Sequence, residues 1–213
     1  MILYTLYGNS YININQLESL KGKNVYVNMT NRCPCNCTFC LRQTKQMLEN
    51  NSLWLKEEPS IQEILDEFAL YDLYDFNEVI FCGFGEPTER LYDLLEVAEE
   101  LKKRRKDLPI RINTIGLGNL MYKKDITPLF KDKIDTISIS LNAPDENEFL
   151  ELTRNKFGIE SYNSMLDFAS KAKDYVPNVV LTVVDIIGDE KIKKCEEICY
   201  NIGVKLRVRP FET

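Results

Sequence analysis

Residues 24–40 read NVYVNMTNRCPCNCTFC, a β-rich run that leads into a loop with four cysteines. Three of these cysteines, Cys33, Cys37 and Cys40, have the spacing C-x3-C-x2-C. Three thiolates are one short of the four that normally close an iron–sulfur cluster. A cluster held by three cysteines keeps one iron open to a small molecule, much as catalytic metal sites keep an open coordination position. The loop therefore predicts an iron–sulfur site that can take a further ligand.

A structural metal site that uses all four cysteines is the alternative, because Cys35 lies between the others. Zinc sites usually combine one cysteine pair with a second pair a dozen or more residues away, or with histidines. The sequence contains no histidine, and no second pair with that spacing flanks the loop. The spacing favours the open cluster.

Composition limits the classes of protein to consider. The chain has 213 residues, 44% of them hydrophobic, which is enough to bury the core of one domain. No apolar run approaches the roughly 18 residues that span a bilayer, and the N-terminus lacks the features of a signal peptide. Seven cysteines, an odd number, suit a reducing compartment. We therefore expect a cytoplasmic protein outside the membrane, and the net charge of −6 argues against a nucleic-acid partner.

The pattern of β-rich and helical segments predicts an α/β fold. Residues 2–6 and 11–14, around Gly8 and Asn9, are typical of a hairpin. Strands and helices then alternate, which indicates a parallel sheet with helices packed outside it. The six predicted strands cover residues 24–29, 78–82, 110–114, 135–141, 178–184 and 204–208. Six units are too few for a closed barrel of eight, so we expect an open (β/α)6 partial TIM barrel. We expect it to form one domain over residues 1–213, with residues 1–23 as a hairpin extension.

Two further features have structural explanations. Cys195 and Cys199 lie four residues apart on the apolar stripe of the last predicted helix, so buried core thiols are favoured over a second metal site. Because no cysteine follows them, we expect no auxiliary cluster domain. The basic run at residues 102–106 follows another apolar stripe and is interpreted as the solvated last turn of a helix.

A second motif, FCGFGEPT at residues 81–88, ends the second predicted strand. Glycines let the backbone approach a ligand closely, which exposes carbonyl groups and the Glu86 carboxylate as acceptors. Such acceptors suit a protonated amino group, which donates three hydrogen bonds. The alternative is a strand-to-helix turn in which Glu86 and Pro87 open the helix.

Together the two motifs resemble those of the radical S-adenosylmethionine (SAM) superfamily, in which an aromatic residue such as Phe39 commonly precedes the last cysteine. The resemblance implies a [4Fe-4S] cluster bound by Cys33, Cys37 and Cys40, with SAM chelated to the free iron. It implies reductive cleavage of SAM to a 5′-deoxyadenosyl radical that abstracts hydrogen from an unidentified substrate. It also implies that SAM contacts the motif resembling Gly-Gly-Glu-Pro and the aromatic ring, which here are Gly83, Gly85, Glu86, Pro87 and Phe39.

The resemblance extends to residues at the ends of later strands. Asn113 begins the stretch NTIG, where relatives often have Asn-Thr-Asn-Gly, so Ile115 departs from the pattern. Ser140 and Asn142 are suited to bind ribose hydroxyls, and turn or cap chemistry is the alternative for both. Arg154 corresponds in region to an arginine that binds the SAM carboxylate in several relatives, and an exposed pair with Glu151 is its alternative.

The last predicted strand alternates apolar and basic residues, the basic ones being Lys205, Arg207 and Arg209. One interpretation places the basic set in the barrel interior, near substrate. The other is an edge strand whose charges deter pairing with another chain.

Several stretches resemble the small radical SAM proteins associated with TatD-type hydrolases, namely residues 31–42, 52–55, 82–88, 139–145 and 207–210. This resemblance implies a possible TatD-type hydrolase partner and a reducing electron donor such as flavodoxin or ferredoxin. The substrate is a small molecule, a peptide or a protein. A non-catalytic electron carrier or metal-binding protein is the alternative function, and it leaves Glu86 and the glycines unexplained.

We predict that alanine at Cys33, Cys37 or Cys40 abolishes the cluster, because each supplies one of only three thiolate ligands. Iron and sulfide analysis after anaerobic reconstitution measures this. Cys35→Ala is the matched control and should retain about four iron atoms per chain. Loss of iron in Cys35→Ala, with retention in any of the three others, would contradict the ligand assignment.

Overall fold

A computed structural model of the chain describes residues 1–8, 10–44 and 52–211, with Thr44 described in its backbone alone. The described residues divide into two compact units. The first unit comprises residues 1–33, 52–112 and 133–135, and the second comprises residues 34–44, 113–132 and 136–211. The expectation of one domain over residues 1–213 stays a prediction.

The strands lie within two residues of the predicted bounds at each end. They are β1 (Leu3–Tyr7), β2 (Ser10–Asn13), β3 (Lys23–Val27), β4 (Phe76–Phe81), β5 (Ile110–Thr114), β6 (Thr136–Ser140), β7 (Asn178–Val184) and β8 (Lys205–Arg209). The helices are α1 (Leu41–Thr44), α2 (Ile61–Ala69), α3 (Leu91–Arg104), α4 (Gly118–Tyr122), α5 (Glu146–Thr153), α6 (Ser161–Ala172) and α7 (Asp189–Ile202). No helix in the described ranges is long and apolar enough to cross a membrane.

In the first unit, β1 pairs antiparallel with β2 and with β3. This confirms the predicted hairpin, of whose turn Asn9 lies outside the described residues. β3 pairs in parallel with β4, and β4 in parallel with β5. In the second unit, β6, β7 and β8 pair in parallel in that order. The α/β class with mostly parallel strands is therefore confirmed.

Parallel strands buried on both faces carry near-continuous apolar runs. Val79, Ile80 and Phe81 of β4 are fully buried, as are Leu181 and Val183 of β7. Helix starts follow local side-chain chemistry as well. Ser60 and Glu63 form the reciprocal hydrogen bonds of a capping box at the start of α2.

The basic run at residues 102–106 lies at the end of a helix as predicted, with Lys103, Arg104 and Lys106 exposed, but Lys102 and Arg105 are half-buried. Helix α3 ends at Arg104, and Lys102 forms an ion pair with Asp135 at 2.7 Å. Arg105 donates to the carbonyl oxygens of Leu73 and Phe76, both at 2.8 Å. These carbonyls belong to the first residue of a 3-10 turn and to the first residue of β4, and backbone carbonyls need donors. The two cations therefore bind the helix end to the rest of the first unit.

Cys195 and Cys199 lie in the core of the second unit, with exposed fractions of 0% and 2%. Burial in apolar surroundings raises the pKa of Cys195 to about 11 and that of Cys199 to about 12. Both are therefore neutral thiols at physiological pH, which a structural core residue requires and a metal ligand does not favour.

We predict that Cys195→Ser or Cys199→Ser lowers the free energy of unfolding by about 1–3 kcal/mol, because each buries a hydroxyl group without an established partner. Denaturant unfolding measures the change. Alanine at the same position is the control and should cost less, since it buries no polar group. A fall in bound iron or zinc with either serine variant would instead indicate a second metal site.

Candidate functional site

The loop that follows β4 lies against the segment that leads to Cys33. A Cβ atom at Gly85 would lie 2.2 Å from the carbonyl oxygen of Thr30 and 2.6 Å from that of Arg32. The backbone N–H of Glu86 donates to the same Arg32 oxygen at 2.8 Å. Because both neighbours are backbone atoms, only glycine permits this approach. The loop and the start of the cysteine motif are therefore held together within the first unit.

A buried oxygen lies beside the other glycine of this loop. A Cβ atom at Gly83 would lie 2.0 Å from Oδ1 of Asn28, the residue that follows β3. The Asn28 amide donates to the carbonyls of Met1 and Leu53, but its Oδ1 has no hydrogen-bond partner. An orphaned buried acceptor costs free energy unless a donor reaches it. The sequence analysis missed Asn28, whose only signal was a polar residue directly after a strand.

Glu86 is buried, with an exposed fraction of 4%. Its Oε1 accepts hydrogen bonds from the backbone N–H of Thr88 at 3.1 Å and from the Thr88 hydroxyl at 2.6 Å. Glu86 thereby caps the short 3-10 turn Pro87–Arg90. The interpretation of the motif as a turn opened by Glu86 and Pro87 is thus confirmed in the structure.

An ion pair and an aromatic contact stabilise the part of the site that lies in the first unit. The guanidinium of Arg32 binds both carboxylate oxygens of Glu58 at 2.9 Å. Partial burial opposes ionisation of Glu58, but the hydrogen bonds from Arg32 and Thr30 lower its pKa overall. Phe84, which replaces the second glycine of the family motif, is buried and packs edge-on against Trp54 at 5.2 Å between ring centroids.

The rest of the cysteine loop is anchored in the second unit by the end of α5. The backbone N–H groups of Asn36 and Thr38 donate to the carbonyls of Thr153 and Leu152, both at 2.9 Å. These carbonyls belong to the last turn of the helix, where no intrahelical donor reaches them. The loop therefore completes the helix end while the helix fixes the loop.

Two cavities in the second unit share the ring of Phe39. The first has a volume of about 200 Å³ and is lined by Cys37, Cys40 and Arg209 in addition to Phe39. The second has a volume of about 290 Å³, is mostly apolar, and includes Asn142. Two of the three predicted cluster ligands thus border the same space.

Arg209 is a cation without a counter-charge in this space. It is half-buried, and its Nε has no hydrogen-bond partner. Arg207, two residues earlier on β8, donates to the Ser138 hydroxyl on β6 at 3.0 Å. Of the three basic residues of β8, Arg209 is half-buried and lines the cavity, whereas Arg207 and Lys205 are exposed.

Arg154 is placed differently from the expectation. It follows the last residue of α5 in a left-handed conformation with φ of 44°, and its side chain is exposed. It lines neither of the two cavities. The left-handed conformation ends the helix, so Arg154 is the residue at which α5 terminates.

Three predicted polar residues are buried or partly buried at or just after strand ends. Asn113 is half-buried, and its Oδ1 has no hydrogen-bond partner. Asn142 is buried in a left-handed conformation with φ of 61°, its N–H donates to the Thr182 carbonyl, and it lines the second cavity. Ser140 is half-buried at the end of β6. An orphaned oxygen and a cavity-lining amide suit a ligand that carries hydroxyl groups.

The cysteine thiols have the chemistry that an iron–sulfur cluster requires. Cys33 is half-buried in the first unit, and Cys37 and Cys40 are half-buried in the second. Across the described ranges, no three Cys, Asp or Glu side chains are already grouped closely enough to hold a metal ion. The donor set and the close approach at Gly85 fit the expected cofactors, and the individual ligand assignment stays a prediction.

A family model described as the radical SAM superfamily matches residues 27–199. A protein of Thermococcus kodakarensis described as a probable GTP 3′,8-cyclase is 26% identical over 191 residues, which cover 89% of this chain and 57% of that protein. The chain therefore spans little more than half the length of this relative.

Two solved structures resemble the chain in fold. A radical SAM methyltransferase from Sphaerobacter thermophilus has a TM-score of 0.59 at 13% identity, covering 97% of this chain and 68% of that one. SuiB of Streptococcus suis, solved bound to SAM, has a TM-score of 0.61 at 17% identity, covering 87% of this chain and 38% of that one.

The comparisons confirm, at the level of the superfamily, the enzyme class that the cysteine loop and the glycine motif predicted. The predicted cofactors, a [4Fe-4S] cluster and SAM, are those of the superfamily. The chain belongs to the radical SAM superfamily.

Proposed function

We propose that this chain binds a [4Fe-4S] cluster through Cys33, Cys37 and Cys40 and cleaves SAM reductively. The observation that carries the proposal is the cavity of the second unit, in which Cys37 and Cys40 lie beside Phe39 and Arg209, whose Nε has no hydrogen-bond partner among the described residues. Thiolates, an aromatic ring and a cation match the iron, the adenine and the carboxylate that such a site has to hold.

A [4Fe-4S] cluster held by Cys33, Cys37 and Cys40 would supply the electron for reductive cleavage of a carbon–sulfur bond of SAM, and the two cofactors together would supply the chemistry that abstracts hydrogen from a substrate. The protein has to orient that bond and exclude water. Phe39 serves both tasks because its ring borders both cavities. An apolar wall at this position also removes solvent that would quench a reactive intermediate.

The glycine loop supplies acceptors for the protonated amino group of SAM. Gly85 lets the backbone lie close to the cysteine segment, and Glu86 is a buried carboxylate fixed by its bonds to Thr88. Burial of a carboxylate favours neighbours that compensate its charge, and a protonated amino group is such a neighbour. The capping role and the ligand role therefore use the same rigid geometry.

We assign the carboxylate of SAM to Arg209 in place of Arg154. A guanidinium binds a carboxylate through two parallel hydrogen bonds. Arg209 borders the cavity of Cys37 and Cys40, whereas Arg154 is exposed at a helix end. Asn113 and Asn142 are the proposed partners of the ribose hydroxyls, with Ser140 as a third donor.

The barrel architecture, the subgroup, the partners and the substrate class are also proposals. Six strands follow the hairpin, which supports an open (β/α)6 partial barrel. The stretches resembling TatD-associated proteins support that subgroup, a TatD-type hydrolase partner and a flavodoxin or ferredoxin as electron donor. The substrate is a small molecule, a peptide or a protein, and the cytoplasmic location stays a prediction.

We predict that the dithionite-reduced, reconstituted protein forms 5′-deoxyadenosine and methionine from SAM under anaerobic conditions, which chromatography measures. Glu86→Ala should weaken SAM binding about tenfold or more, because a charge-assisted hydrogen bond contributes about 1.5–3 kcal/mol. Iron content should be unchanged.

Glu86→Gln is the matched control for the loss of the cap, since its amide oxygen can still accept from Thr88. It should bind SAM as weakly as the alanine variant while unfolding like the wild type. A full, reducible cluster that neither binds SAM nor forms the product would contradict the proposal and favour an electron carrier.

We predict that Arg209→Gln weakens SAM binding about tenfold, because it removes a charged donor pair from the carboxylate. Isothermal titration of SAM into the reconstituted protein measures the change. Arg154→Gln removes the same charge at an exposed position and should stay within about twofold of the wild type. Weaker binding in Arg154→Gln alone would restore the assignment made from the sequence.

A further inference from the structure

Arg42 contacts the sulfur of a predicted cluster ligand. It lies in the short helix α1, two residues after Cys40. Its Nε donates to Sγ of Cys40 at 3.4 Å, and its NH2 group donates to the carbonyl oxygen of Cys35 at 3.3 Å. The half-buried guanidinium therefore bridges a ligand sulfur and the backbone of the same loop.

A cationic donor at this position favours negative charge on the sulfur. Reduction adds an electron to a bound cluster, and the thiolate ligands share the added negative charge. Hydrogen bonds to the sulfurs and local charge are among the factors that set cluster reduction potentials. Partial burial strengthens the effect, because the effective dielectric constant is lower than in water. The guanidinium stays charged at every accessible pH.

We propose that Arg42 is a positioning residue that raises the reduction potential of the cluster by holding a charged donor against the sulfur of Cys40. The inference rests on the proposed function, in which Cys40 is a cluster ligand. It also gives Cys35 a role that does not use its thiol. The Cys35 carbonyl holds the second arm of the guanidinium, while the residue itself is buried with an exposed fraction of 6%.

The adjacent residue offers a matched control. Gln43 Nε2 donates to Oδ1 of Asn36 at 2.6 Å, so it spans the same cysteine loop without a charge. If Arg42 acts only by holding the loop in place, loss of the neutral Gln43 contact should shift the midpoint potential to a similar extent. If Arg42 acts through its charge and its contact with the sulfur, loss of the Gln43 contact should leave the midpoint potential unchanged.

The test is a redox titration of the reconstituted protein followed by electron paramagnetic resonance, with iron and sulfide content measured in parallel. The variants are Arg42→Gln, Arg42→Lys and Gln43→Ala. We expect a lower midpoint potential in Arg42→Gln at unchanged cluster content. Arg42→Lys should lie between it and the wild type, because the ammonium keeps the charge but not the two-armed geometry. Gln43→Ala should titrate like the wild type.

A fully loaded Arg42→Gln with the wild-type potential would overturn the inference and leave the proposed function intact. So would equal shifts in Arg42→Gln and Gln43→Ala, which indicate a structural contact only. If Arg42→Gln fails to take up the cluster, the Arg42→Lys variant provides the test. A midpoint potential of Arg42→Lys equal to that of the wild type would then contradict the inference. A wild-type protein without any cluster would instead contradict the proposed function itself.

Discussion

The close backbone contact at Gly85 is the constraint on which the first unit's part of the site depends. Thr30 and Arg32 present their carbonyl oxygens where a side chain would otherwise lie, and Glu86 donates to one of them. The contact continues the parallel pairing of β3 with β4, since Cys82 donates to Val27 just before it. The segment that leads to Cys33 and the glycine loop are therefore held together within the first unit.

Several site residues have a structural role in addition to the ligand-binding role proposed for them. Glu86 caps a turn with the carboxylate proposed to bind an amino group. Backbone N–H groups of the cysteine loop donate to the carbonyls at the end of α5. The helix therefore fixes the loop through its backbone, and this contact does not use the thiol groups. The residue types that form turns and helix caps also offer hydrogen-bond acceptors to a cofactor. For this reason both interpretations of the sequence point to the same residues. The two interpretations were compatible rather than competing.

Charge is distributed unevenly in this acidic chain. The net charge is −6, yet the cavity-lining Arg209 and the sulfur contact of Arg42 place cations beside Cys37 and Cys40. A reduced cluster and a carboxylate are both anionic, so cations at this position offset the cost of removing them from water. Among the described residues, the acidic ones that make the net charge negative lie elsewhere in the chain and do not line this cavity.

The sequence by itself determined the strands, the hairpin and the buried thiols, because the periodicity of apolar residues acts over a few residues. It also identified both motifs, whose chemistry depends on residue type and spacing. Only the tertiary structure exposed Arg154, gave Arg209 a place in the cavity and put Asn28 beside Gly83. These placements depend on contacts between residues far apart in the chain, which a local sequence pattern does not encode.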